Sequence, residues 1–95
     1  MFKKAVKAHQ MGDLESAKHL YLEDLKGNSD NKYEALFNIG MIELQKNNFA
    51  SATNFFTKVI ALNSNDVAAI ANAGICYQQI GDFKQAELFL TMLTS

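Results

Sequence analysis

Tyr33-Glu34-Ala35-Leu36-Phe37-Asn38-Ile39-Gly40-Met41-Ile42-Glu43-Leu44-Gln45-Lys46 is the stretch on which the fold turns. Leu36, Ile39, Gly40 and Ile42 recur at three- and four-residue intervals, which is the spacing of one helix face. Phe37, Met41 and Leu44 mark a second apolar face, so the helix is expected to be sandwiched between neighbours. Asn47-Asn48-Phe49 follows as a turn and helix start, and a second helical pattern runs from Phe49 to Leu62 through Ala52, Phe56, Val59 and Ile60. A polar break, Asn63-Ser64-Asn65-Asp66, closes the unit.

The same unit recurs on either side. Ala17, Ala52 and Ala86 are each followed four residues later by a large side chain, Tyr21, Phe56 and Leu90. Their spacings are 52 − 17 = 35 and 86 − 52 = 34 residues. Ahead of each stands a turn signal and an apolar residue: Gly12-Asp13-Leu14, Asn47-Asn48-Phe49 and Gly81-Asp82-Phe83. Asp13, Asn48 and Asp82 are suited to N-cap positions, where a short side-chain oxygen accepts from the first free backbone N–H groups. Gln85 adds a capping-box partner for Asp82. Val67 to Ile80 and Phe83 to Leu93 supply the third pair of helical patterns, and Gly27-Asn28-Ser29-Asp30-Asn31 separates the first unit from the second. The chain is therefore expected to be all-α: six antiparallel helices in three helix-turn-helix pairs, forming one domain over residues 1–95. The expected units are 1–32 (shortened at its start), 33–66 and 67–95.

Composition narrows the function. The chain has 95 residues, 48% of them hydrophobic, and a net charge of −1 with acids and bases interspersed, so neither disorder nor an electrostatic footprint for nucleic acid or an anionic membrane is expected. Lys3, Lys4 and Lys7 open the chain, but no apolar run of signal-peptide or membrane-spanning length follows them. Cys76 is the single cysteine, which precludes an internal disulfide and suits a reducing compartment. A soluble cytoplasmic protein is the expectation.

The 34-residue period and the positions Leu36, Ile39-Gly40, Ala52 and Phe56, then Ile70, Gly74, Tyr77, Ala86 and Leu90, resemble the tetratricopeptide repeat. The first unit contributes Ala5, Ala8, Ala17 and Tyr21. The tyrosine slot of the repeat holds Glu43 in the middle unit and Ala8 in the first, and Ser29 and Ser64 stand in place of the closing proline. The resemblance implies a right-handed α-solenoid in which Ala5, Gly40 and Gly74 face Ala17, Ala52 and Ala86, and in which the first helix of each unit lines a concave groove. A peptide or protein segment is the expected ligand there. The groove residues are then Phe2, Val6 and His9, followed by Phe37, Asn38, Met41, Leu44 and Gln45, and by Asn72, Ile75 and Gln79. Asn38 and Asn72 recur at one place in their units. An amide that donates and accepts at once matches a peptide group, and the pair resembles the asparagine ladder of the peptide-binding superhelix in O-linked N-acetylglucosamine transferases. The alternative reading is that they tie adjacent units together. The carboxylate clamp of chaperone-binding members is not expected, because its places hold Phe2, Val6, Asn38, Ala68 and Asn72, with almost no cation.

No catalytic residue, metal or cofactor is expected. His9 and Asp13 are separated by a turn and lack a third ligand. Cys76 has no histidine in its unit and reads as a small buried side chain. The final helix carries Phe89, Leu90, Met92 and Leu93, an apolar set that predicts self-association into a homo-oligomer, coverage by a different partner, or continuation of a longer array. The alternatives to a groove-binding scaffold are a structural assembly unit joined through this helix, or the docking segment of a larger enzyme or secretion component.

Overall fold

The computed structural model describes residues 1–94; Ser95, the last residue of the expected third unit, lies outside the described residues. The order is α1 (Phe2–Gln10), α2 (Leu14–Lys26), α3 (Lys32–Gln45), α4 (Phe49–Leu62), α5 (Val67–Gln79) and α6 (Phe83–Met92), with no strand among the described residues. Each helix packs on the one before and the one after it in sequence, α1 on α2 through to α5 on α6. The resulting body is elongated, 37 × 24 × 19 Å.

The turns are built as the sequence requires. Gly12 and Gly81 take positive φ angles of 81° and 84°, and Asn47 takes the same role at 60°, one of the few side chains that tolerates it. Asp13 and Asp82 cap their helices, accepting from the Ser16 and Gln85 amides at 3.2 Å. Asp66 does the same for α5 through the Ala69 amide at 2.9 Å. Two expectations are corrected here. Asn48 forms no side-chain cap; its Nδ2 instead donates to Glu43 Oε2 at 3.1 Å, because a buried carboxylate is the stronger acceptor. The Asp82 amide, which a capping box would give to Gln85, donates to the Tyr77 carbonyl at 2.9 Å. Where a proline was wanting, Ser29 closes the linker: its hydroxyl donates to Asp24 at 2.6 Å and accepts from the Asn31 amide at 2.9 Å.

Two apolar clusters form the core, and α3 contributes to both. Ile39 and Ile42 join Ala5, Ala17, Tyr21 and Ala35 on one side. Leu36 joins Ala52, Phe56, Val59, Ala69, Ala73 and Cys76 on the other. This is the sandwich that two apolar faces on one helix predict. The helical glycines are explained by the same packing, but not by the alanines expected opposite them. A Cβ at Gly40 would lie 2.9–3.1 Å from the Phe56 ring, and one at Gly74 would lie 3.0 Å from Leu90 Cδ2. The large residue four positions after each alanine, not the alanine, occupies the space.

Glu43, in the slot where the repeat has tyrosine, is the charged residue of this core. It is 1% exposed. Its Oε1 lies 3.0 Å from Lys18 Nζ, an ion pair that crosses from α2 to α3. Burial pushes the Glu43 carboxyl up, but Lys18, Asn48 and Ser51 together outweigh it and hold the group below the usual carboxylate range.

Candidate functional site

The first helices of the three helix pairs converge on one cleft of about 350 Å³. Phe2 comes from α1, Tyr33, Glu34, Phe37 and Asn38 from α3, and Asp66 and Ala68 from the start of α5. The cleft exists because the first turn of α3 lies beside the N-terminus of α5. Tyr33 donates its hydroxyl to Asp66, whose other oxygen caps α5. That bond is the main cause that pushes the Tyr33 phenol up, with burial adding to it. Three aromatic rings, two carboxylates and one amide therefore border the same space.

The expected groove residues lie in different surroundings. Phe2, Phe37 and Asn38 line this cleft. Val6 and Leu44 are half-buried and pack against the two core clusters, and Phe37 meets Phe56 edge-on with ring centroids 5.7 Å apart. Gln45, Ile75 and Gln79 are exposed further along α3 and α5. His9 turns toward Tyr21, with Nδ1 3.4 Å from the hydroxyl.

Both asparagines have internal partners. Asn38 Nδ2 donates to the Tyr21 hydroxyl at 3.1 Å, and Asn72 Nδ2 reaches the Met41 sulfur at 3.5 Å. Each thus ties its helix to the preceding unit, the alternative that the sequence left open. Burial pushes the Tyr21 phenol up, and the Asn38 bond partly offsets this. Tyr33 and Asp66 were missed by the sequence reading as site residues. The signal available was their position: they bracket the middle unit, 33 residues apart, so the fold must bring them to adjacent helix starts.

The apolar set on the last helix is also split. Phe89 stacks on Tyr77 at 5.3 Å between centroids, and Leu90 lies against Gly74, so both face inward. Leu88, Met92 and Leu93 are exposed, together with Phe83 and Ile80. Cys76 is fully buried, and burial pushes its thiol up. Among the described residues no three His, Cys, Asp or Glu side chains stand where they could share a metal ion, and no helix is long and apolar enough to cross a membrane.

Six helices stacked in sequence order, each packed mainly on its neighbours in the chain, define a helical-repeat protein. More particularly, the chain belongs to the tetratricopeptide repeat family: the sequence model of that repeat matches residues 43–95. Membership of this family suggests protein–protein interaction. The chain is also similar to trafficking protein particle complex subunit 12 of Homo sapiens, 29% identical over 86 residues that cover 81% of this chain and 11% of the relative. The corresponding Mus musculus subunit is 29% identical over 86 residues, covering 81% of this chain and 10% of the relative. The chain thus spans about a tenth of the length of the curated relatives it matches.

Proposed function

We propose that this chain is a docking module that holds a segment of another protein against the face formed by α1, α3 and α5. The observation that carries the reading is the cleft bordered by all three first helices and lined by Phe2, Tyr33, Phe37 and Asn38 among others. Aromatic walls supply contact area at low conformational cost, and an amide between them orients a peptide group. Each asparagine uses one N–H internally and keeps its carbonyl oxygen and second N–H for the partner. The ladder and the inter-unit tie are then two uses of the same side chain. The similarity to a subunit of a trafficking complex supports the docking-segment form of this reading, with the partner a protein of a multi-subunit assembly. The buried, reduced Cys76 fits work in a reducing compartment such as the cytoplasm.

The test is to fill the cleft without touching the core. Ala68 is exposed, one residue into α5, and Ala68→Trp places an indole across the opening. Cross-linking and affinity capture with wild-type and variant chains of equal helicity then compare the retained proteins. Loss of specific partners from the Ala68→Trp variant supports the reading; retention of the same set by both chains overturns it.

A further inference from the structure

The cleft between α1, α3 and α5 has a chemical bias that docking alone does not require. Phe2, Tyr33 and Phe37 line it with aromatic rings, Glu34 and Asp66 with carboxylates, and no lysine or histidine is among its lining residues. Lys32, next to Tyr33 in sequence, borders a different groove with Leu25, Leu36 and Lys58. The ion pairs of the described residues join Lys18 to Glu43, Lys26 to Glu23 and Lys46 to Glu15. Neither carboxylate of the cleft therefore has a cation partner among the described residues.

The two acids differ in what they have left to give. Asp66 accepts from the Tyr33 hydroxyl through one oxygen and from the Ala69 amide through the other, so it is committed to the start of α5. Glu34 stands exposed in the first turn of α3. A helix start carries about half a positive charge, which a full carboxylate exceeds. Tyr33 registers the sign of the site: its hydrogen bond to Asp66 and burial push the phenol up, and the charges of Asp66 and Glu34 push in the same direction.

We propose that the cleft takes the side chain of an arginine on the docked segment, its guanidinium laid against the rings and its N–H groups given to Glu34 and the Asn38 carbonyl oxygen. This rests on the docking reading above and names the residue that the partner protein presents. Arginine suits the site because a guanidinium stacks flat on an aromatic ring while donating in its own plane. Lysine brings a point charge without the plane, and a quaternary ammonium has no N–H for the carboxylate. At about 350 Å³ the cleft is at the small end of ligand sites, roughly 300–1,000 Å³, which suits one long side chain. All nine basic residues of the chain are lysines, so a second copy of these 95 residues does not supply the arginine. A further helix pair stacked on either end of the array would lengthen it without lying across α1, α3 and α5.

The probes are three capped tripeptides, glycine on either side of arginine, lysine or citrulline; citrulline keeps the shape of arginine without its charge. Each is titrated into the isotope-labelled full chain, and the amide NMR signals of Tyr33, Asn38 and Ala68 are followed. The arginine peptide should saturate these shifts in the millimolar range, with lysine weaker and citrulline about fivefold weaker. Glu34→Gln, a change at an exposed position, should reduce the arginine-to-citrulline ratio to about twofold. Equal binding of arginine and citrulline, a lysine peptide that binds more tightly, or a ratio that Glu34→Gln leaves unchanged overturns the proposal. So do arginine shifts of equal size around Asp30 and Glu87, exposed acids elsewhere, or no shift with any peptide. The docking reading fails separately: if partners lost from Ala68→Trp are also retained by Glu34→Lys, docking stands and the arginine is wrong, whereas partners retained by Ala68→Trp remove both.

Discussion

Replacing Lys18 by methionine isolates the electrostatics of the core. Methionine keeps most of the aliphatic stem, so packing changes little, while Glu43 Oε1 loses the group 3.0 Å away that neutralises it. Removing one partner of a buried pair costs about 3–5 kcal/mol. Two features reduce that here: Asn48 still satisfies Oε2, and the Lys18 side chain is 29% exposed, so water reaches the rim of the pair. A loss of about 2–3 kcal/mol follows, against roughly 5–14 kcal/mol for a whole domain of this size. Urea denaturation at pH 7, or calorimetry with a drop in Tm on the order of 10–20 °C, measures it. Adding Glu43→Gln to Lys18→Met should restore most of the loss, because the amide needs no counter-charge. The pH dependence has a definite sign. In wild type the carboxyl is depressed, so its contribution is complete above the unfolded value of about 4.3 and is lost as pH falls through the folded one. In Lys18→Met burial acts unopposed by the ammonium, and protonation relieves the penalty. The gap between the two chains should therefore narrow from pH 7 to pH 4. A Lys18→Met loss below about 0.5 kcal/mol, or one that Glu43→Gln does not relieve, refutes the reasoning.

The helical glycines should answer differently to the same substitution. Gly40→Ala sets a Cβ about 3 Å from a rigid ring on a fully buried side chain, and overpacking of about 1–3 kcal/mol should exceed the helix propensity gain of about 1 kcal/mol; Gly74→Ala meets the flexible end of Leu90 and should fall within about 0.5 kcal/mol of wild type by urea denaturation. Tyr21→Phe removes the hydroxyl that receives Asn38 and should cost about 1 kcal/mol, with a loss of the His9 contact visible as a changed imidazole shift in NMR. Cys76, buried and with its thiol pushed up, should resist a thiol reagent at pH 8 in the folded chain and react at once in denaturant; labelling at the free-thiol rate in buffer would show that α5 opens readily.

Periodicity made the helices readable to within a residue, because Leu36, Ile39 and Ile42 have no other way to share a face. Residue type alone could not say where each polar side chain goes. Asn48 looks like Asp13 and Asp82 as a cap, yet it serves the Glu43 carboxylate, whose burial follows from helix packing and not from residue type. Phe89 and Leu90 belong to the same apolar run as Leu88 and Met92, and only the rotation of α6 about its axis decides which turn inward. The cleft was half legible: Phe2, Phe37 and Asn38 followed from the repeat, whereas Tyr33 and Asp66 meet through contacts between the ends of different units.

Because α3 is wall to both apolar clusters, it is the helix whose release requires both to open. Hydrogen exchange should register this as a gradient of protection that peaks in the middle of the chain: amides around Ile39 and Ile42 exchange last, and those of α1 and α6 first. A partner in the cleft would rest on a helix already held from both sides.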